Sequence, residues 1–166
     1  MATRFEEFVI MAGGAQVASS FSLPSGTVTN AMVSNTAAID ADKLQHRHQN
    51  VYSDERATTI ATQRRVIHVG RGTGALVTLH IGLMVAMVGA ATGTVGLRKN
   101  GSEITSSDLD LDNTVSAYTL VADSGFSNTA VAAGDVFEVE VKTASAGGGT
   151  LGTGFFAVLS VDEETS

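Results

Sequence analysis

Apolar and polar residues alternate over much of the chain between residues 57 and 161, which is the pattern of β-strands with one face in a core. The clearest stretch is 137–142, where Phe, Val and Val alternate with Glu, Glu and Lys. Between residues 77 and 87 every odd position is apolar, while the even positions are mixed. This second pattern predicts one long strand whose other face lies in a subunit contact or under a loop.

Turn signals separate the apolar stretches at short intervals. Asn100-Gly101 is the strongest, because both residues tolerate a positive φ in a tight hairpin. Gly134-Asp135 and the three glycines at 147–149 mark two further turns. Additional strands are predicted at 58–69, 95–97, 118–120 and 155–161. With roughly seven or eight strands and no helical period between them, the sequence predicts an all-β fold, an antiparallel β-sandwich or jelly roll.

The first 56 residues lack a sustained period, and only two short helical turns are predicted there, over 30–34 and 41–46. We therefore predict two parts, an extended N-terminal arm at 1–56 and a jelly-roll β-sandwich at 57–166. The arm is too apolar to remain a free tail, so it needs a partner surface. The residues expected to contact this partner or another subunit are Phe5, Phe8, Ile10, Phe21 and Leu23, with Ile39 and Leu44 anchoring the arm to the sandwich.

Charge and composition narrow the possible partners. The chain has 166 residues with 17 acidic and 10 basic side chains, a net charge of −7. This balance argues against nucleic acid as a partner, because phosphate binding needs a clustered basic surface. The sequence contains no cysteine, which excludes disulfides and thiolate metal sites and favours assembly in a reducing cytoplasm.

Neither a signal peptide nor a membrane span is predicted. The first ten residues contain two acids and no long apolar run of the kind that a secretory signal requires. The apolar stretch at 75–91 is short for a membrane helix and carries His80 near its centre. We interpret this stretch as a buried strand and expect no membrane partner.

Residues 70–75 match the glycine spacing of a dinucleotide-binding loop. Such a loop must open a helix and be followed by an acidic residue about 20 positions later. A strand-like sequence follows instead, and the next acid is Glu103. We therefore interpret this segment as a Gly-rich hairpin loop and predict no cofactor.

Two groups of residues have the chemistry of metal ligands. His46 and His48 share a face only in an extended chain, and one such histidine from each subunit of a trimer would form a three-His set. Asp108, Asp110 and Asp112 would line one face of a strand, which suits a hard cation as well as plain solvent. For the three aspartates we favour a strand face exposed to solvent over a cation site. His46 and His48 remain weak candidates for metal ligands.

No catalytic constellation is recognisable. The chain lacks cysteine and the G-x-S-x-G pattern of a nucleophile elbow. His68 and His80 lie in strand-like sequence, where an imidazole satisfied in a core or interface is the ordinary interpretation. The sequence therefore predicts a protein that is not an enzyme.

Residues 94–104 (TVGLRKNGSEI), 131–142 (VAAGDVFEVEVK) and 154–161 (GFFAVLSV) resemble the second half of a C1q/TNF-like jelly roll. In that family a strand ends in a Lys-Asn-Gly hairpin and a Gly-Asp turn opens a later strand. Residues 26–48 resemble a stretch that precedes jelly rolls in phage virion proteins. Together these resemblances imply a trimeric jelly roll preceded by a virion arm, as in bacteriophage capsid decoration (cement) proteins.

The function expected from these features is structural. We expect a homotrimer on the capsid surface of a virion, whose arm binds and stabilises the major capsid protein after assembly in the host cytoplasm. The apolar fraction of 43% also exceeds what a single sandwich with two solvated faces needs. Two alternatives stay open, a receptor- or carbohydrate-binding head domain of a phage fibre and a cupin-like metal-binding jelly roll.

Overall fold

Residues 45–164 form ten β-strands in two sheets. A computed structural model describes the backbone of residues 45–164 and the side chains of residues 47–164. The strands are β1 Gln45–Ser53, β2 Gln63–Val69, β3 Gly74–Val85, β4 Thr92–Lys99, β5 Ser102–Glu103, β6 Leu109–Asp112, β7 Val121–Asp123, β8 Ala130–Val131, β9 Val136–Ser145 and β10 Thr153–Glu164. The described residues contain no helix, and therefore none long and apolar enough to cross a membrane.

Every strand pairs antiparallel, and the two sheets take strands from distant parts of the chain. Sheet 1 has the order β1-β10-β3-β7, with β8 also paired to β3. Sheet 2 has the order β2-β9-β4-β5, with β6 also paired to β4. Because the first four strands alternate between the sheets and the last strands return to the middle of each, the sandwich is jelly-roll-like. The all-β sandwich expected from the sequence is confirmed.

One apolar core fills the space between the sheets. The alternation at 137–142 places Phe137, Val139 and Val141 of β9 in this core, each no more than 1% exposed. Strand β10 contributes Phe155, Ala157, Leu159 and Val161, which are fully buried. The period-two pattern therefore predicts the inward face of both strands correctly.

Strand β3 is long, as expected, but its inward face changes phase once. Leu79, Ile81 and Leu83 are buried as the odd-numbered pattern predicts. Near the start of the strand the register against β10 slips, so that Val161 pairs with Leu76 and Val77 is the extra residue of a β-bulge. Leu76 is therefore the buried residue there, in place of Val77.

Strand β1 lies inside the range 1–56 that was predicted to be an arm. It pairs with β10 along its whole length, from Gln45 opposite Glu164 to Ser53 opposite Phe156. These nine residues are therefore part of the sandwich. The expected contact residues Phe5, Phe8, Ile10, Phe21, Leu23, Ile39 and Leu44 lie outside the described residues, as do the turn at 30–34 and nearly all of the turn at 41–46.

Two of the predicted connections differ from the structure. The glycine-rich segment after β2 is a loop, but it crosses from sheet 2 to sheet 1 and does not close a hairpin. The strand expected around Tyr118 and Leu120 begins later, at Val121. Tyr118 has a φ of 58°, a left-handed conformation that a regular strand does not contain.

The Asn100-Gly101 hairpin is confirmed. Both residues have positive φ, 51° and 81°, and Lys99 pairs directly with Ser102. This is the geometry of a type I′ turn. The side chain of Asn100 also donates from Nδ2 to Oδ1 of Asp135 at 2.8 Å, which ties this hairpin to the loop before β9.

Asp135 is expected to stabilise this end of the sandwich in a pH-dependent way. Its carboxylate contacts Lys99 Nζ at 2.7 Å and accepts from the Ala132 N–H at 2.8 Å. The contacts with Lys99 and Asn100 lower the pKa of Asp135. We expect Asp135→Ala to reduce the free energy of unfolding at pH 7 by about 1–2 kcal/mol in urea titrations.

Because the pKa of Asp135 is lowered on folding, its contribution is present above the ordinary aspartate pKa of about 3.9 and is lost as the pH falls through the lowered value. The wild type and Asp135→Ala should therefore converge in stability in strong acid. Asp110→Ala, at an exposed position of β6, serves as the matched control and should leave stability unchanged. A difference between Asp135→Ala and wild type that persists undiminished in strong acid would contradict this assignment.

Candidate functional site: an uncharged outer sheet face

The outer surface of sheet 1 is formed by the residues that point away from the core, of which Ser160 and Gly82 are themselves buried. We call this surface the sheet-1 face. Its residues stand in rows that cross the strands, since antiparallel partners lie side by side. The middle row is Val51, Val158, His80 and Ala122, one residue from each of β1, β10, β3 and β7. The rows on either side of it are Gln49, Ser160 and Thr78, and Ser53, Phe156 and Gly82.

These three rows contain no Asp, Glu, Lys or Arg. The nearest charges stand one row further along, where Arg47 Nε donates to Asp162 Oδ1 at 2.7 Å. This hydrogen bond lowers the pKa of Asp162. The two charges pair at the end of the sheet. The centre of the sheet-1 face carries uncharged side chains, which are apolar, small and polar, or the longer amide of Gln49, around the His80 imidazole.

Neighbouring residues of this face contact one another. Phe156 extends its ring over Gly82, where a Cβ atom would lie 2.5 Å from the ring and 2.9 Å from the Thr119 carbonyl oxygen. The ring of His80 lies beside Thr78, with Nδ1 3.3 Å from Thr78 Oγ1. Val51, at the edge of the middle row, is 65% exposed.

The outer surface of sheet 2 has the opposite character. Arg64 Nη2 donates to Glu140 Oε1 at 2.8 Å, and Arg98 donates to the other oxygen of the same carboxylate. Lys142 pairs with both Glu103 and Asp108. Ion pairs of this kind are normal on a surface that stays in water.

The carboxylate of Glu140 illustrates how the charges on sheet 2 are balanced. Burial raises the pKa of this group, but the hydrogen bonds from Arg64 and Arg98 outweigh burial and lower it below the ordinary value. The carboxylate is therefore held ionised between two guanidinium groups. Of the two outer faces, only that of sheet 1 lacks such a network.

No protein-family model matches the chain, and no curated protein is significantly similar to it. The function proposed below therefore rests on the two outer faces and on the side of the sandwich between them.

Strands β1 and β2 lie at the edges of their sheets, next to each other on one side of the sandwich. Side chains close one end of the gap between them. Gln63 Nε2 donates to Asp54 Oδ2 at 2.7 Å, and Arg65 Nε donates to the Tyr52 hydroxyl at 3.2 Å. Tyr52 in turn donates to the other oxygen of Asp54. These four residues join the two edge strands.

The other end of the gap is a cavity of about 440 Å³. Its lining residues are His48, Asn50, Val66, Ile67, His68, Val69, Arg71 and Glu163. His68 Nε2 lies 3.1 Å from Glu163 Oε1, although its N–H is not aligned for a hydrogen bond. Their side chains are only 6% and 2% exposed. The same oxygen, Glu163 Oε1, accepts a hydrogen bond from the backbone N–H of Arg71 at 3.2 Å. The carboxylate is therefore hydrogen-bonded to Arg71 and lies close to the His68 ring.

The structure places the residues singled out from the sequence in different parts of the fold. His48 lines the cavity, while the side chain of His46 lies outside the described residues. Asp110 is exposed on β6 between buried leucines, and Asp112 accepts from the Thr114 N–H at 2.8 Å, as on a solvated face. No three His, Asp or Glu side chains within residues 47–164 are placed to hold a metal ion. His80 is on the sheet-1 face and His68 is in the cavity.

Sequence reasoning missed Glu163 and most of the sheet-1 face. Glu163 continues the inward series Phe155, Ala157, Leu159 and Val161 of β10. An acid in phase with an apolar face is a signal that a buried partner exists, and this signal could have been found. The mixed even positions of β3 were predicted to lie in a subunit contact or under a loop, and at Gly82 the carbonyl oxygen of Thr119, from the loop before β7, lies 2.9 Å from where a Cβ atom would be. The residues of β1 and β10 that lie beside these positions were not predicted.

Proposed function

We propose that this chain is a structural assembly protein, and specifically a homotrimeric decoration protein that binds the major capsid protein of a bacteriophage shell. The observation that carries the proposal is the contrast between the two outer faces. Sheet 2 is covered by ion pairs, whereas three adjacent rows of sheet 1 contain no charge. Because the centres of protein interfaces are depleted in charged residues, this difference supports association through sheet 1.

The fold supports a structural role in a second way. The described residues 45–164 contain one contiguous apolar core. The apolar side chains in the first 44 residues of the sequence favour binding to another chain. The resemblance of residues 26–48 to phage virion proteins supports the capsid as the surface that they bind.

Removing residues 1–25 is expected to abolish capsid binding and to leave the sandwich folded and self-associated. The reason is that the apolar side chains proposed to contact the capsid are removed, while all the strands found in residues 45–164 are kept. Binding can be measured by cosedimentation with capsids that lack this chain. Such capsids come from a deletion mutant of the phage whose genome encodes it.

A second variant tests the same segment without shortening the chain. It carries Phe8→Asp and Ile10→Asp, so that only two apolar positions change. It should also lose most of its capsid binding. Circular dichroism and the mass in solution report on the sandwich and its association. If the truncated chain cosediments with capsids at wild-type levels, the first 25 residues are not the capsid-binding segment.

A further inference from the structure

We infer that Asn100 is a modification site, an asparagine prone to deamidation that the fold keeps unreactive through a hydrogen bond to Asp135. The inference goes beyond the proposed function and does not depend on it. It concerns the Asn100-Gly101 turn between β4 and β5, and it assigns to Asp135 the control of a chemical step in that turn.

The sequence of the turn supplies both groups that deamidation needs. In this reaction the main-chain nitrogen of Gly101 bonds to Cγ of Asn100 and loses its proton to solvent, while Nδ2 takes up a proton and leaves as ammonia. Water then opens the five-membered imide to aspartate or isoaspartate. Asparagine is a thermolabile residue, and a following glycine makes it more reactive because glycine has no Cβ to screen its nitrogen.

The attacking group is open to solvent in this fold. Gly101 is exposed, and among residues 47–164 no atom would lie within 4 Å of a Cβ added to it. The turn itself is held by the pairing of Lys99 with Ser102 and by Arg98 Nη1, which donates to the Gly101 carbonyl at 2.8 Å. No side chain therefore shields the Gly101 nitrogen, and any protection has to come from the asparagine.

The carboxamide of Asn100 is held at both of its polar atoms. Oδ1 accepts from the Val136 N–H at 2.9 Å, and Nδ2 donates to Oδ1 of Asp135 at 2.8 Å. The main-chain N–H of Asn100 donates to the Val136 carbonyl at 2.8 Å. For imide formation, the planar amide must become tetrahedral at Cγ and approach the Gly101 nitrogen, which costs both side-chain hydrogen bonds. The fold therefore raises the barrier to deamidation.

Asp135 is the group that makes this restraint strong. Its carboxylate also contacts Lys99 Nζ at 2.7 Å and accepts from the Ala132 N–H at 2.8 Å, so its position is fixed. The contacts with Lys99 and Asn100 lower the pKa of Asp135, which is therefore ionised at neutral pH. An ionised acceptor strengthens the hydrogen bond from Nδ2 and has no proton to give to departing ammonia.

Deamidation would loosen this corner of the sandwich permanently. It replaces the Nδ2 donor with a carboxylate oxygen, which would face the carboxylate of Asp135 and be repelled by it. The isoaspartate product also adds a methylene group to the main chain of a tight turn. The hydrogen bond to Asp135 therefore preserves the tie between the hairpin and the loop before β9.

The test is peptide mass spectrometry of the full-length chain after incubation at pH 7.5, which separates Asn100 from its aspartate and isoaspartate products. We expect folded Asp135→Ala to deamidate about tenfold faster than folded wild type, the factor expected for loss of a hydrogen bond to a charged group. Asp135→Ser should behave in the same way, and it is included so that misfolding of one variant leaves the other to decide. Circular dichroism reports on folding. Wild type unfolded in urea should also react at least about tenfold faster than folded wild type.

Two control variants separate the restraint at Asn100 from general effects. Asp110→Ala removes an exposed carboxylate of β6 and should keep the wild-type rate. Ile60→Ala destabilises the core near the start of β4, where Ile60 is 1% exposed and lies beside Gly93, whereas Asn100 follows the end of that strand. It should also keep the wild-type rate, because the unfolded fraction stays small.

Each outcome decides the inference. Equal rates in folded wild type and the Asp135 variants overturn it, as do equal rates in folded and unfolded wild type. A rate in Ile60→Ala that matches the Asp135 variants also overturns it, since loss of stability would then be the cause. An increase confined to the Asp135 variants and the unfolded chain supports it.

Discussion

Replacing Phe137 with alanine is expected to lower the free energy of unfolding by about 3–5 kcal/mol, which is a large part of the stability of a domain of this size. The Phe137 ring is fully buried, and the His68 ring stacks on it with centroids 5.9 Å apart. The ammonium group of Lys99 lies 5.9 Å from the centroid of the same Phe137 ring. The truncation therefore opens a cavity in the core and removes the support of His68 beside the edge cavity.

The measurement for Phe137→Ala is urea unfolding followed by circular dichroism, since the chain has no tryptophan. Val69→Ala is the matched control, because Val69 lies on the neighbouring strand β2 but is 47% exposed. Its effect should stay within about 0.5 kcal/mol. A loss below about 1 kcal/mol in Phe137→Ala would show that this part of the core is not packed as described.

Replacing Val158 with glutamate is expected to prevent self-association without unfolding the sandwich. Val158 points outward from β10 in the middle row, between Val51 and His80. A glutamate there would place an unpaired carboxylate in each docked copy and would restore repulsion between chains that are already acidic. We expect the dissociation constant to rise at least about 100-fold, because each buried unpaired charge costs several kcal/mol.

Sedimentation equilibrium of Val158→Glu at pH 7.5 measures this effect. The matched control is Val66→Glu, which adds the same charge at a position on β2 that is 55% exposed and outside the sheet-1 face. This control should associate like the wild type. If Val158→Glu keeps the wild-type mass in solution, the sheet-1 face is not the association surface.

The strands with one apolar face could be predicted from the sequence, because burial imposes a period of two that the residues record directly. The inward residues of β9 and β10 and the Asn100-Gly101 turn were correct for this reason. Strand β1 was missed because its inward-facing positions, from His48 through Asn50 to Tyr52, are polar where they close the edge of the sandwich. An apolar pattern cannot mark a strand whose inner face lines a polar gap.

The surface proposed for association could be predicted only in part. The mixed even positions of β3 were visible along the sequence, but their neighbours come from β1 and β10, more than 20 and 70 residues away. Which residues share a row depends on strand order and register, and these depend on the packing of the whole sandwich. The bulge at Val77 and the contact of His68 with Glu163 could not be predicted for the same reason. Each brings β10 next to a strand far earlier in the chain, β3 in the first case and β2 in the second.

The position of the last two strands governs how the protein is made. Strand β9 joins β2 to β4, and β10 joins β1 to β3, so sheet 2 cannot form in the order seen here until β9 has left the ribosome, nor sheet 1 until β10 has. Until then, the earlier strands lack their main partners and their apolar faces stay open to solvent. Because contacts of such long sequence separation form slowly, we expect folding to follow synthesis and to favour chaperone engagement of the nascent chain.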